Sequence, residues 1–213
     1  SYPDVWTTAT QFADYNLLNS YFGNRYQGVN EAENANQFPN FNQNFLPYVQ
    51  WSAVYGHLPV NPVLSDNAFF PKAYPYAQNC RGLNGAATPY DPVNNPGGLR
   101  CGLIDYMSTQ FGFRTPDVWS ANEKKIGRGF GGIPLDNVGV QYGLGALKQG
   151  TITADQFLDL NRNIGGFDVD IQRVANRTVA DPLALANSYK TGAVNTAEHL
   201  SNIPIIDLRG PDP

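Results

Sequence analysis

The clearest hydrophobic rhythm lies near the start of the chain. Between residues 8 and 22, Phe12, Tyr15, Leu18 and Phe22 recur at helical spacing, which predicts an amphipathic helix with Thr8 or Thr10 as its cap. Residues 23 to 45 are polar and Asn-rich around Phe38, Phe41 and Phe45 and read as a winding segment or a short helix pair. Helical spacing returns from Leu46 to Tyr55, and Pro59, Pro62, Pro71 and Pro75 then punctuate an irregular stretch. Leu103, Ile104, Met107 and Phe111 form another helical face, and residues 112 to 136 read as loop. Val138 to Leu147 keeps helical spacing despite Gly139, Gly143 and Gly145, so these glycines are expected to let another backbone pack closely. Thr153-Ala154-Asp155-Gln156 is a capping box for a helix reaching about Asn163 and closed by Gly165-Gly166. Asp181-Pro182 is a cap followed by proline in the first helical turn, opening a helix to Lys190 that Gly192 closes. The one strong strand is Ile203-Pro204-Ile205-Ile206-Asp207-Leu208, a short continuous apolar run of the kind buried on both faces of a parallel sheet. Its backbone groups need partners. The fold class expected is therefore α/β, with this chain a fragment that supplies a mostly helical insertion and one strand of the core.

Composition narrows the partners. Only 15% of the 213 residues are charged, and the 14 Lys+Arg against 18 Asp+Glu give a net charge of -4. No basic run is present, so the electrostatic footprint that a phosphate backbone demands is missing and no nucleic-acid partner is expected. No apolar stretch approaches the roughly 18 residues of a membrane-spanning helix, and no membrane partner is expected either. Sparse charge with abundant Asn, Gln, Ser, Thr and Tyr is common in exported proteins. The two cysteines, Cys80 and Cys101, flank a segment made almost entirely of turn formers. A bridge there would stabilise by roughly 3 kcal/mol on the chain-entropy model. The expectation is a disulfide and hence a secreted or periplasmic location, with two buried free thiols as the other reading. The chain opens at Ser1 with neither a charged n-region nor an apolar h-region before it, which reads as upstream trimming or processing of a precursor.

Chemistry-bearing patterns are few. His57 and His199 are the only histidines, and neither lies in a pattern that marks a catalytic triad; surface or capping roles suffice for both. A Gly-x-Ser-x-Gly elbow is absent, so a hydrolase nucleophile would have to come from elsewhere. Gly127-Arg128-Gly129-Phe130-Gly131-Gly132 fits a dinucleotide fingerprint in letters only, because no strand precedes it and Pro134 follows; it reads as a flexible loop. Asp168 and Asp170 offer two carboxylates to a calcium ion without the rest of a calcium loop. Asn176-Arg177-Thr178 is a glycosylation sequon. Ser1 itself is an alternative amino-terminal nucleophile, although Pro3-Asp4 and a helix follow it instead of a sandwich strand. No cofactor or metal is expected.

Four stretches together resemble a known family: Ser1-Tyr2-Pro3-Asp4 leading into residues 11 to 18; Tyr90-Asp91-Pro92-Val93-Asn94-Asn95-Pro96; residues 134 to 144; and Ile203-Pro204-Ile205-Ile206-Asp207. They are similar to a family of large secreted bacterial proteins catalogued as a domain of unknown function, with an α/β-hydrolase core distantly similar to tannases and feruloyl esterases. The resemblance implies that residues 1–4 end one core strand. Residues 5–200 would be a mainly helical lid with a disulfide loop at 80–101, and residues 201–213 the next core strand and its acid loop. It puts Asp212 in the place of the catalytic acid, with Asp207 second and Asp4 a distant third, and assigns the serine and histidine to other chains of the same precursor. Trp6, Asn137, Gln141 and Tyr142 would shape a pocket for a neutral, moderately apolar ester or amide. A non-catalytic binding module keeping the same fold is the competing class, since fold alone does not fix function.

Overall fold

The computed structural model describes residues 5–25, 45–56, 70–80 and 88–194. These include helices α1 (Val5–Arg25), α2 (Phe45–Tyr55), α3 (Leu103–Tyr106), α4 (Ser108–Phe111), α5 (Ala121–Ile126), α6 (Leu144–Lys148), α7 (Ala154–Asn163) and α8 (Pro182–Lys190). A two-stranded antiparallel sheet joins β1 (Gly166–Phe167) to β2 (Arg173–Val174), with Gly166 opposite Val174 and Phe167 opposite Arg173. About half of the described residues are helical, and the predicted strand at 203–208 lies outside them. The chain divides into two compact units, one of Ser1–Thr10, Lys72–Leu135 and Ala180–Pro213, the other of Gln11–Pro71 and Asp136–Val179.

The second unit is organised by aromatic packing. Tyr15, Leu18 and Phe22 on α1 are buried as their spacing predicts and Phe12 is half-buried, but the helix starts at Val5, so Thr8 and Thr10 sit inside it and not at its start. Phe22 stacks on Trp51 of α2 at 5.5 Å between ring centroids, and Tyr55 lies 5.8 Å from Trp51. The Tyr55 hydroxyl donates to Asn19, which explains an amide on a largely buried helix face. The predicted helix at 138–147 is only α6, because Gly139 and Gly143 take φ of 84° and 77°, left-handed values that end one turn and start the next. A side chain at Gly143 would meet Ile152, Leu160 and Val54 at 3.1 to 3.3 Å, whereas Gly139 and Gly145 face open space. The close neighbours occur at Gly143 alone and are side chains, in place of the backbone expected at all three. The capping box of α7 forms as predicted: the Thr153 hydroxyl accepts from the Gln156 amide at 3.2 Å, and the Gln156 side chain accepts from the Thr153 amide at 2.9 Å.

The first unit is built on a bridge and a buried charge cluster. Cys80 and Cys101 form a disulfide with Cα atoms 5.1 Å apart. Next to Cys101 in the chain, the Arg100 guanidinium lies over the rings of Tyr90 and Phe130, at 4.5 and 4.0 Å from their centroids, and pairs with Asp105 at 2.9 Å. The single helical face expected over 103–111 is two short helices that break at Met107. The 112–136 loop contains α5, opened by a Ser120-x-x-Glu123 capping box that the spacing analysis passed over. Glu123 has no exposed surface; its carboxylate accepts from the amides of Ser120 and Phe130 and from Arg114. Arg114 also donates to both oxygens of Asp181, at 2.7 and 2.9 Å, and Asp181 accepts from the Ile133 amide at 2.8 Å. Asp181 therefore precedes α8 as predicted, yet its side chain is committed to Arg114 and Ile133 and makes no cap.

Three glycines of the 127–132 run, Gly129, Gly131 and Gly132, are close-packed, whereas Gly127 faces open space. A Cβ at Gly129 would sit 2.1 Å from the Arg114 carbonyl oxygen, and one at Gly132 would sit 2.9 Å from the Ala184 methyl. These glycines exist so that backbone and helix can touch, which replaces the flexible-loop reading with a steric one.

Candidate functional site

Four polar side chains, Asp14, Asn137, Asn161 and Arg177, meet in the second unit around Tyr142. Asn137 is held first: its amide donates to the Thr178 carbonyl at 3.1 Å, and its side-chain oxygen accepts from the Thr178 amide at 2.8 Å. Its side-chain nitrogen donates to the Gly165 carbonyl at 2.9 Å and to the Tyr142 hydroxyl at 3.3 Å. Asn161, on the last turn of α7, accepts from the Tyr142 amide and donates to the Tyr142 carbonyl at 2.8 Å, which fixes the backbone of that residue on both sides. The Tyr142 hydroxyl then donates to Asp14 of α1 across 2.5 Å.

Arg177 closes the cluster. Its guanidinium lies 5.1 Å from the centre of the Tyr142 ring and donates to the carbonyls of Asn137 and Asn161 at 3.1 and 2.8 Å. Electrostatics follow from this burial. Desolvation raises the Asp14 carboxyl above its ordinary value of 3.8, while the Tyr142 hydrogen bond and the Arg177 charge work against the rise. Desolvation, then the Asp14 charge and its hydrogen bond, push the Tyr142 phenol far up, so it stays protonated as a donor.

The hydroxyl of Tyr142 both donates and accepts here, and no nucleophile adjoins it in the cluster. Its chemistry is positional: it ties α1 to the 137–142 loop, and that loop then presents Val138, Val140 and Gln141 outward.

Of the predicted pocket residues, the structure brings Asn137 and Tyr142 into one hydrogen-bonded group and leaves Gln141 exposed beside it. Trp6 lies on α1, with its side chain outside what is described. Asp207, Asp212, Asp4, Ser1, His57 and His199 lie outside the described residues. Asp168 spends one carboxylate oxygen on the amides of Asp170 and Gln172, each at 2.8 Å, which builds the β1–β2 turn. Among the described residues no group of three or more His, Cys, Asp or Glu is placed to hold a metal ion. Sequence reasoning missed Asp14, Asn161 and Arg177. Asp14 gave one signal, the lone carboxylate of α1, next to Tyr15, and Arg177 was visible only as the middle of a sequon.

A family model described as a tannase-like family of unknown function matches residues 1–213. The chain belongs to that tannase-like family (DUF6351). Membership carries a relationship to hydrolases at the level of the family, and it extends over both units and over the stretches whose resemblance was noted in the sequence. Comparison with curated proteins and with solved structures gives no match for this chain. Among the described residues no helix is long and apolar enough to cross a membrane.

Proposed function

We propose that this chain is part of a secreted serine hydrolase, an esterase or amidase, in which it supplies the lid, part of the substrate pocket and the catalytic acid. The observation that carries this reading is the tannase-like family match over the whole of residues 1–213. The disulfide supports an oxidising compartment. Scarce basic residues argue against a phosphate or polyanion as substrate and favour a neutral, moderately apolar ester or amide.

In this reading Asp212, or failing it Asp207, receives the proton-bearing nitrogen of a histidine from the remainder of the precursor. It holds the imidazole tautomer while that histidine takes the proton of the nucleophilic serine. The serine oxygen attacks the carbonyl carbon, and the histidine then returns the proton to the leaving alcohol or amine. Residues 5–200 act as the lid, with Gln141 touching substrate. Asn137 and Tyr142 work indirectly, through the hydrogen bonds that hold the 137–142 loop with Val138, Val140 and Gln141 facing out.

The test uses the full precursor-derived protein, treated with a fluorophosphonate probe and assayed on aryl esters and amides. Labelling of one serine with turnover supports the reading, and Asp212→Asn is expected to lower kcat by about three to four orders of magnitude. An equivalent loss in Asp207→Asn alone moves the acid to Asp207. Absence of both labelling and turnover across the panel sinks the enzyme reading and favours a binding module.

A further inference from the structure

One side chain reaches the start, the interior and the end of the 137–142 loop. Residues 138–141 are exposed, Val138 and Val140 at 55% and 40%, and they lie between buried Asn137 and buried Tyr142. Arg177 donates through one terminal nitrogen to the Asn137 carbonyl at 3.1 Å and, over a longer 3.4 Å, to the Val140 carbonyl. Through the other it donates to the Asn161 carbonyl at 2.8 Å and to the Asn161 side-chain oxygen at 3.2 Å. That side-chain oxygen also accepts from the Tyr142 amide at 3.0 Å, and the guanidinium lies 5.1 Å from the centre of the Tyr142 ring.

This bonding separates holding from binding. The terminal nitrogens of a guanidinium carry four of its five N–H groups, and here they make four bonds, all to neutral amide oxygens of the protein. A substrate carboxylate would have to displace them. What they fix is backbone: three of the four acceptors are main-chain carbonyls or, in Asn161, the group that holds the Tyr142 amide. The loop needs such a hold, because Gly139 at its middle takes φ of 84° and a Cβ there would meet nothing within 4 Å. An arginine suits the position, since its planar fork spans the loop and the last turn of α7 together, whereas a lysine brings the same charge to a single point.

We propose that Arg177 is a positioning residue of the hydrolase: it holds the 137–142 loop in the shape in which Gln141 meets substrate, and so sets substrate affinity without entering the chemistry. The proposal rests on the reading of the chain as part of an ester or amide hydrolase. It assigns a role to the one residue of the cluster that bonds to the loop and to α7 at once. Arg177 acts through the loop, so its removal is felt in KM and leaves the bond-breaking step alone.

The experiment measures aryl-ester kinetics of the full precursor-derived protein and of Arg177→Met, Arg177→Lys and Arg128→Met, the last at an exposed site in the first unit. Both Arg177 variants are expected to raise KM about tenfold with kcat within about twofold of the parent, and Arg128→Met to change neither. In a Gln141→Ala background Arg177→Met should add no more than about twofold, because the contact it positions is already gone. Hydrogen exchange reads the loop without turnover: the Val140 and Tyr142 amides, both hydrogen-bonded, should exchange about tenfold faster in the Arg177 variants, with α8 unchanged. An unchanged KM, a lysine that restores the parent value, independent effects of the Arg177 and Gln141 substitutions, or unaltered loop exchange overturns the proposal. If Arg177→Met fails to fold, Arg177→Lys carries the comparison; failure of both makes the residue a folding one and also overturns it. Faster loop exchange in a protein whose parent turns over no ester refutes the hydrolase reading and the substrate role with it, whereas turnover with an unmoved KM refutes this proposal alone.

Discussion

Replacing Arg114 by methionine should strongly destabilise the first unit. The guanidinium lies 3.1 Å from Glu123 and 2.7 Å from Asp181, and the Glu123 side chain has 0% exposure. Methionine keeps much of the hydrophobic stem but strands two carboxylates, one of which water cannot reach without opening the unit. Removing one partner of a buried ion pair costs about 3–5 kcal/mol. Asp181 moderates this, because burial and the Glu123 charge already raise its pKa against the pull of Ile133 and Arg114, and it can take a proton. For a chain of this length the loss corresponds to a fall in Tm of about 6–20 °C. Trp119 is the reporter, since its indole nitrogen donates to the Arg114 carbonyl at 2.8 Å, and urea unfolding followed by its fluorescence reads the change directly. Asp181→Asn should cost less, because Glu123 still faces Arg114. Arg128→Met, which loses one exposed bond to the Gly97 carbonyl, should fall within about 1 kcal/mol of the parent. If Arg114→Met also falls within about 1 kcal/mol of the parent, the cluster does not hold the unit together and the reasoning fails.

Asp14 has a raised pKa when folded, so its contribution to stability is fully present below 3.8 and is lost as pH rises through the folded value. Asp14→Asn, which can still accept from Tyr142, should flatten the dependence of the urea midpoint on pH in that window; an unchanged slope refutes the assignment. Mass spectrometry of native protein without reductant should find no alkylatable thiol, and reducing the Cys80–Cys101 bridge should cost about 3 kcal/mol. Gly129→Ala, whose new methyl would lie 2.1 Å from the Arg114 carbonyl oxygen, should destabilise by about 1–3 kcal/mol. Gly145→Ala, on α6 with nothing within 4 Å, should instead stabilise by roughly 0.5–1 kcal/mol, and equal effects at the two sites in thermal melts would contradict the steric account.

Local signals in the chain sufficed where the deciding interactions are themselves local. The capping box at Thr153, the proline after Asp181 and the aromatic rhythm of α1 and α2 each involve residues within about one helical turn, and all appear as helices where the pattern put them. The turn formers between Cys80 and Cys101 likewise foretold the bridge, and the motif stretches foretold the family. What the pattern left undecided depends on residues far apart in the chain. Val138 to Leu147 has helical spacing, but two left-handed glycines and the hold of Asn161 on Tyr142 stop it. Asp181 looks like a cap until Arg114, 67 positions away, takes its carboxylate. Asp14 looks like an ordinary helix carboxylate until Tyr142, 128 positions away, is placed against it, and only burial then raises its pKa. Spacing along a chain determines which side chains share a helix face, whereas desolvation and charge pairing depend on what else the folded chain brings within a few ångströms.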